Sequence, residues 1–216
     1  MLILIMGKSG AGKNYIYRSI MSSNLKTLLS PWLMYTTRPI RRGEIDGIDM
    51  HFCKESFLDY LEKDYQLIEK RKIAKVDGTY YYATRKIDPI LAQNNDYLLP
   101  EITPECYFPI VNYYKLYNVK TLAIVLETSE TINEKRMMER DDGNSIEEIN
   151  RRIAYDKKIY NEFDEAIKCR TEEEKRNHPI IYCLNTRKED PNYIEKIIED
   201  ALSNRQIILP DYYYRK

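Results

Sequence analysis

The most restrictive feature of this chain lies near its N-terminus, where the apolar run Leu2 to Met6 is followed at once by Gly7-Lys8-Ser9-Gly10-Ala11-Gly12-Lys13-Asn14. A short apolar run that stops at glycine reads as a buried strand, and Lys13 to Met21 reads as a helix entered through the glycine-rich turn. Strand, glycine loop and helix in this order form a phosphate cradle. Glycines let backbone N–H groups curl round an anion, the helix N-terminus adds positive potential, and Lys13 reaches towards the β and γ phosphates of a nucleotide. Gly7, Ser9, Gly10, Ala11, Gly12, Lys13 and Asn14 are therefore candidate ATP-binding residues. The last position departs from the usual pattern, because Asn14 stands where a Ser or Thr hydroxyl commonly meets Mg²⁺. An amide oxygen is still a hard, neutral ligand, so Asn14 either serves the metal or merely begins the helix.

Further along, strands are expected at Leu33 to Thr36, Ile68 to Val76, Tyr80 to Ala83, Asp96 to Leu99, Thr121 to Leu126 and Ile180 to Leu184. Ile68 to Val76 and Tyr80 to Ala83 are hinged at Asp77-Gly78, a favoured hairpin turn. Helices are expected at Ser56 to Lys63, with Ser56 as the cap, and at Thr131 to Arg140, Ser145 to Ala166 and Asn192 to Ser203. Pro100 to Tyr117 carries no clear signal, and Ile207 to Lys216 is an aromatic tail. Strands alternating with helices predict an α/β fold with a parallel sheet wrapped by helices.

The 34 basic side chains equal the 34 acidic ones, so no global field gathers nucleic acid polymers or anionic membranes, and any anion must be bound locally. The longest apolar run is far below the ~20 residues of a membrane helix, and a cytoplasmic protein is expected. Cys53, Cys106, Cys169 and Cys183 lack zinc-site spacing, and His51 and His178 have no partner spacing for a metal or a triad. Most of the 20 tyrosines are expected to be structural.

The run Thr36-Thr37-Arg38-Pro39-Ile40-Arg41-Arg42-Gly43-Glu44-Ile45-Asp46-Gly47-Ile48-Asp49-Met50-His51-Phe52 resembles the nucleoside-monophosphate-binding segment of guanylate kinases. The resemblance implies that Arg38 and Arg41 hold the acceptor's phosphate while Glu44 supports them. Guanidinium forks suit a dianionic phosphate, and an acid can orient those forks. Met50 departs from the family's phosphate-touching tyrosine. Glu69 follows Leu67-Ile68 as the family's guanine-reading glutamate follows its own apolar pair, and a carboxylate can accept from guanine N1–H and N2–H. The ordinary alternative is an exposed strand glutamate. Tyr81-Tyr82-Ala83-Thr84 resembles the family's Y-Y-G-[ST], making Tyr82 a phosphate contact and Thr84 a base contact, although a slip of one place would select Tyr81. The family's Asp-x-Asp is absent from Tyr97 to Glu105, where Glu101 is the best acid for magnesium or the base.

The segments from Glu134 to Arg140 and from Ile146 to Arg152 resemble the family's arginine-bearing lid helices. The resemblance gives Arg136, Arg140 and Arg152 as groups that neutralise charge on the transferring phosphoryl group, as arginines can in phosphoryl transfer. Asn185, at the end of the strand Ile180 to Leu184, matches an adenine contact. The fold implied is that of a P-loop nucleoside-monophosphate kinase with a core at 1–32, 89–126 and 166–204, an acceptor-binding insertion at 33–88, a helical lid at 127–165 and a tail at 205–216. The activity implied is transfer of the γ-phosphoryl of ATP, with Mg²⁺, to GMP or dGMP. Two alternatives remain open: a degenerate guanylate-kinase-like binding module, favoured by Asn14, Met50 and the missing acids, or a kinase for a different or modified nucleoside monophosphate.

Overall fold

The computed structural model describes residues 1–139, 145–185 and 190–204. Its centre is a parallel sheet in the order β2 (Leu29–Pro31), β7 (Asp96–Ile102), β1 (Leu2–Gly7), β8 (Thr121–Glu127) and β9 (Ile180–Leu184). Strand β1 lies between β7 and β8, with Leu2 opposite Tyr97 on one side and Thr121 on the other. Burial on both faces explains why its sequence is apolar without alternation. Ile3 and Ile5 join a core formed with α1 (Lys13–Ile20) and α8 (Asp190–Asn204). Leu2, Leu4 and Met6 point the other way, into a layer with α4 (Pro104–Lys115) and α6 (Ile146–Lys168). Tyr107, Tyr114 and Phe163 are among the largest side chains buried there.

A second, mixed sheet runs β4 (His51–Phe52), β3 (Tyr35–Thr36), β6 (Gly78–Arg85) and β5 (Leu67–Lys75). Helix α2 (Glu55–Lys63) covers one side of it through Leu58 and Leu61, which pack on Ala83. The remaining helices are α3 (Pro89–Asn94), α5 (Glu130–Met138) and α7 (Glu172–Asn177). Among the described residues, no helix is long and apolar enough to cross a membrane.

Several expectations need correction. Of the strand expected at Leu33 to Thr36 only Tyr35–Thr36 forms, as β3 of the second sheet, while β2 of the parallel sheet lies earlier at Leu29–Pro31, and the chain crosses between the sheets after Trp32 N–H donates to Leu98 O at 2.8 Å. Ser56 is not a cap, since α2 begins at Glu55 with Lys54 at the cap position. The hairpin turn is Val76-Asp77, with Gly78 already opposite Lys75. The unassigned Pro100 to Tyr117 finishes β7 and then forms α4, whose first position is Pro104. Arg140 and the tail at 205–216 lie outside the described residues.

Candidate active site

A cleft of about 750 Å³ opens between the glycine loop at the carboxyl end of β1, the second sheet, and the first turns of α6. Ligands of parallel sheets collect at this end of the strands. Gly10 and Gly12 have φ of +81° and +88°, and a Cβ on Gly10 would stand 2.5 Å from Asn133 O, so both positions require glycine. Lys13 Nζ donates to Gly7 O at 2.7 Å and stands 4.0 Å from Glu101 Oε1. Ser9 N–H donates to Asp156 Oδ2 of α6 at 2.6 Å.

Behind the loop, Asn185 Nδ2 donates to Ala11 O, and Arg136 donates to Gly10 O at 3.3 Å and to Asn185 O at 3.1 Å. Arg136 and Asn185 thus grip the outside of the loop, and neither lines the cleft. At its other end, Asn14 Nδ2 donates to Asp49 Oδ1 at 2.9 Å, while Arg18 Nη2 and Ile45 N–H also reach that buried carboxylate.

Across the cleft, Arg38 makes a two-pronged pair with Glu44, at 2.6 and 2.7 Å, and Glu44 Oε2 also accepts from Arg41 N–H at 2.9 Å. Burial alone would raise the Glu44 pKa, but the Arg38 bonds and the Arg41 amide hold it below the ordinary glutamate value. Met50 fills in beside the pair, its Sδ 3.6 Å from Arg38 Nη2. Arg38, Arg41, Lys75 and Tyr82 all line the cleft, whereas Tyr81 packs towards α2. Burial first, then the nearby charges of Arg41, Arg152 and Arg38, push the Lys75 ammonium down to about 7.

The third wall carries Arg151 and Arg152, both paired with Glu148. Burial opposes ionisation of Glu148, yet the two arginine bonds pull its pKa down to about 2. Glu148 also accepts from Val76 N–H at the hairpin turn, at 3.3 Å.

Glu69 differs from its expected presentation. Its Oε1 accepts from the buried Thr84 hydroxyl at 2.6 Å and its Oε2 from Arg71 Nε at 2.8 Å. Arg71 lines the cleft, whereas Glu69 and Thr84 do not. Arg71, Lys75, Arg151, Asp49 and Asp156 were not among the expected site residues. The alternation of β5 was the available signal for two of them, because 69, 71, 73 and 75 share a strand face. Among the described residues, no group of three or more His, Cys, Asp or Glu side chains could hold a metal. Asn14 and Glu101 both line the cleft, and one amide oxygen with one carboxylate suits Mg²⁺ when phosphates and water complete the shell.

A parallel core with a glycine loop on β1, joined to a second sheet across a basic cleft, defines the fold of the P-loop nucleoside-monophosphate kinases. The guanylate kinase family model matches residues 1–175, and the chain belongs to that family. The guanylate kinase of Nitrosomonas europaea is 29% identical over 154 residues, covering 71% of this chain and 72% of that protein. That of Nitrosococcus oceani is 35% identical over 99 residues, or 45% of this chain and 46% of its own, so the matched stretch spans less than half of that relative. The crystal structure of guanylate kinase from Anaplasma phagocytophilum superposes with a TM-score of 0.54 at 18% identity, covering 96% of this chain and 86% of that one. At that identity the likeness speaks for the fold.

Proposed function

We propose that the protein transfers the γ-phosphoryl group of ATP to GMP or dGMP. The observation that carries this reading is the opposition, across one cleft, of the Lys13 loop and the Arg38–Glu44 pair. One wall is built for a nucleotide's polyphosphate and the other for a monophosphate. The second sheet with its flanking loops, 33–88, is the acceptor-binding part, and 127–165 is the lid.

Catalysis in this arrangement is positioning and charge neutralisation. The loop amides and Lys13 hold the β and γ phosphates in line with the acceptor, while Arg38, Arg41 and Tyr82 fix the acceptor phosphate. Arg151 and Arg152 supply donors where charge grows on the transferring oxygens, and Arg136 with Asn185 keeps the loop in shape from its adenine side. Arg140 belongs to the same lid in sequence. Asn14 and Glu101 would hold Mg²⁺, which supplies Lewis-acid charge to the phosphates. A cytoplasmic location fits these soluble substrates.

A kinase for another monophosphate is favoured by one observation, the placing of Arg71 in front of Glu69. A binding module is favoured by the engagement of Asn14 with Asp49. The test is ATP-dependent phosphorylation across all ribo- and deoxynucleoside monophosphates with Mg²⁺. Turnover of GMP or dGMP supports the proposal, turnover of other bases alone redirects it, and GMP binding without turnover supports the module.

A further inference from the structure

The part of the cleft lined by β5 is faced by a cation, Arg71. Arg71 lies on β5 two residues beyond Glu69, with only 14% of its side chain exposed. Its Nε is held by Glu69 Oε2 at 2.8 Å and its Nη1 by Thr103 Oγ1 at 2.7 Å, with Glu105 Oε2 at 3.5 Å. Glu105 is itself engaged by the Tyr155 hydroxyl. Strand β5 and the start of α4 therefore fix one guanidinium, and its Nη2 makes no hydrogen bond to the described residues. Glu69 meanwhile spends one oxygen on Thr84 and the other on Arg71.

We infer that Arg71 is the group that selects the acceptor base, donating to the O6 and N7 edge of a 6-oxopurine, and that Glu69 and Thr103 are its positioning residues. This deepens the kinase reading and rests on it. Guanidinium hydrogens need acceptors opposite them. Guanine and hypoxanthine offer O6 and N7 side by side, the pair that arginine reads in nucleic acid grooves, whereas adenine places an N6 amino donor where O6 would be. A carboxylate reading guanine through N1–H and N2–H would instead demand the 2-amino group. The two modes thus differ on IMP, which keeps O6 and N7 but lacks that amine.

The unmodified protein decides between them. Initial rates with ATP, and binding by isothermal titration calorimetry, are measured for GMP, IMP and AMP. IMP within tenfold of GMP, with AMP at least a hundredfold weaker, supports Arg71. A GMP preference over IMP beyond tenfold, or AMP within a hundredfold of GMP, overturns it while leaving the kinase reading standing. Binding of GMP and IMP with the same small ratio but no turnover keeps Arg71 and removes the kinase reading. Failure of GMP and IMP to bind or react overturns both. In Arg71→Lys, which keeps a cation beside Glu69, kcat/KM or affinity should fall about 10- to 100-fold for GMP and IMP alike, the range for one hydrogen bond from a charged group, with the KM for ATP unchanged. An unaltered GMP to AMP ratio in a folded Arg71→Lys protein would also overturn the inference.

Discussion

Asn14 and Asp49 are joined by a 2.9 Å hydrogen bond that runs from the end of the glycine loop to the segment following Arg38 and Arg41. The side chain that departs from the usual loop pattern thus connects the two halves of the cleft. Asn14→Ser should shorten this reach while restoring a hydroxyl for the metal. The expected outcome is a lower Mg²⁺ concentration at half-maximal rate, together with a KM for GMP raised about threefold to tenfold, the net worth of one typical hydrogen bond. Titrations of Mg²⁺ and GMP check this. Loss of neither property would place both the metal and the coupling elsewhere.

Lys13 packs against its own loop rather than in the core, so Lys13→Ala should keep the parent's melting temperature within a few degrees and lose nearly all phosphoryl transfer. Thermal melts and initial rates suffice. An unfolded variant, or one that turns over normally, would contradict the role given to the loop.

Two of the arginines expected in the lid, Arg136 and Arg152, should part company. Arg152 lines the cleft, and its removal by Arg152→Ala should lower kcat by ~10²-fold with little effect on either KM. Arg136 grips Gly10 O and Asn185 O, so Arg136→Ala should chiefly raise the KM for ATP. Equal effects on both parameters in both variants would refute the division.

Lys75 gives a pH signature. Its folded pKa of about 7 lies below the ordinary 10.5, so between these values the unfolded chain binds a proton that the folded one does not. The unliganded protein therefore gains stability from this group as pH rises from 7 towards 10.5, and the cost of the buried charge is fully present below 7. Lys75→Met should raise Tm most at pH 6 and least near pH 10. Because a bound phosphate dianion favours the charged form, the KM for GMP should climb above pH 7 in the parent and stay flatter in the variant.

How far these features could be read in advance depends on the range of the interactions. Strand β8 and the glycine loop announce themselves locally, by burial on both faces and by backbone need. Helices α3 and α7 escaped because each is six residues long and has at most one buried side chain, so neither has an apolar stripe. Their signals were in the caps: Asp88 before Pro89, and Thr171 with Glu174. The resemblance located Arg38, Glu44 and Tyr82 on the cleft wall, yet it could not place Glu69 behind Arg71. That arrangement depends on Thr103, which arrives from a distant strand end.

Glu148 accepts from Val76 N–H, Arg151 and Arg152, which come from two different parts of the chain. One carboxylate makes the hairpin tip and the first turns of α6 a single mechanical linkage. A displacement of the tip is geared to both arginines, neither of which needs to touch the hairpin. Two charges that would repel each other in isolation are thus held together by one carboxylate, and the second sheet and α6 face the glycine loop as one braced wall.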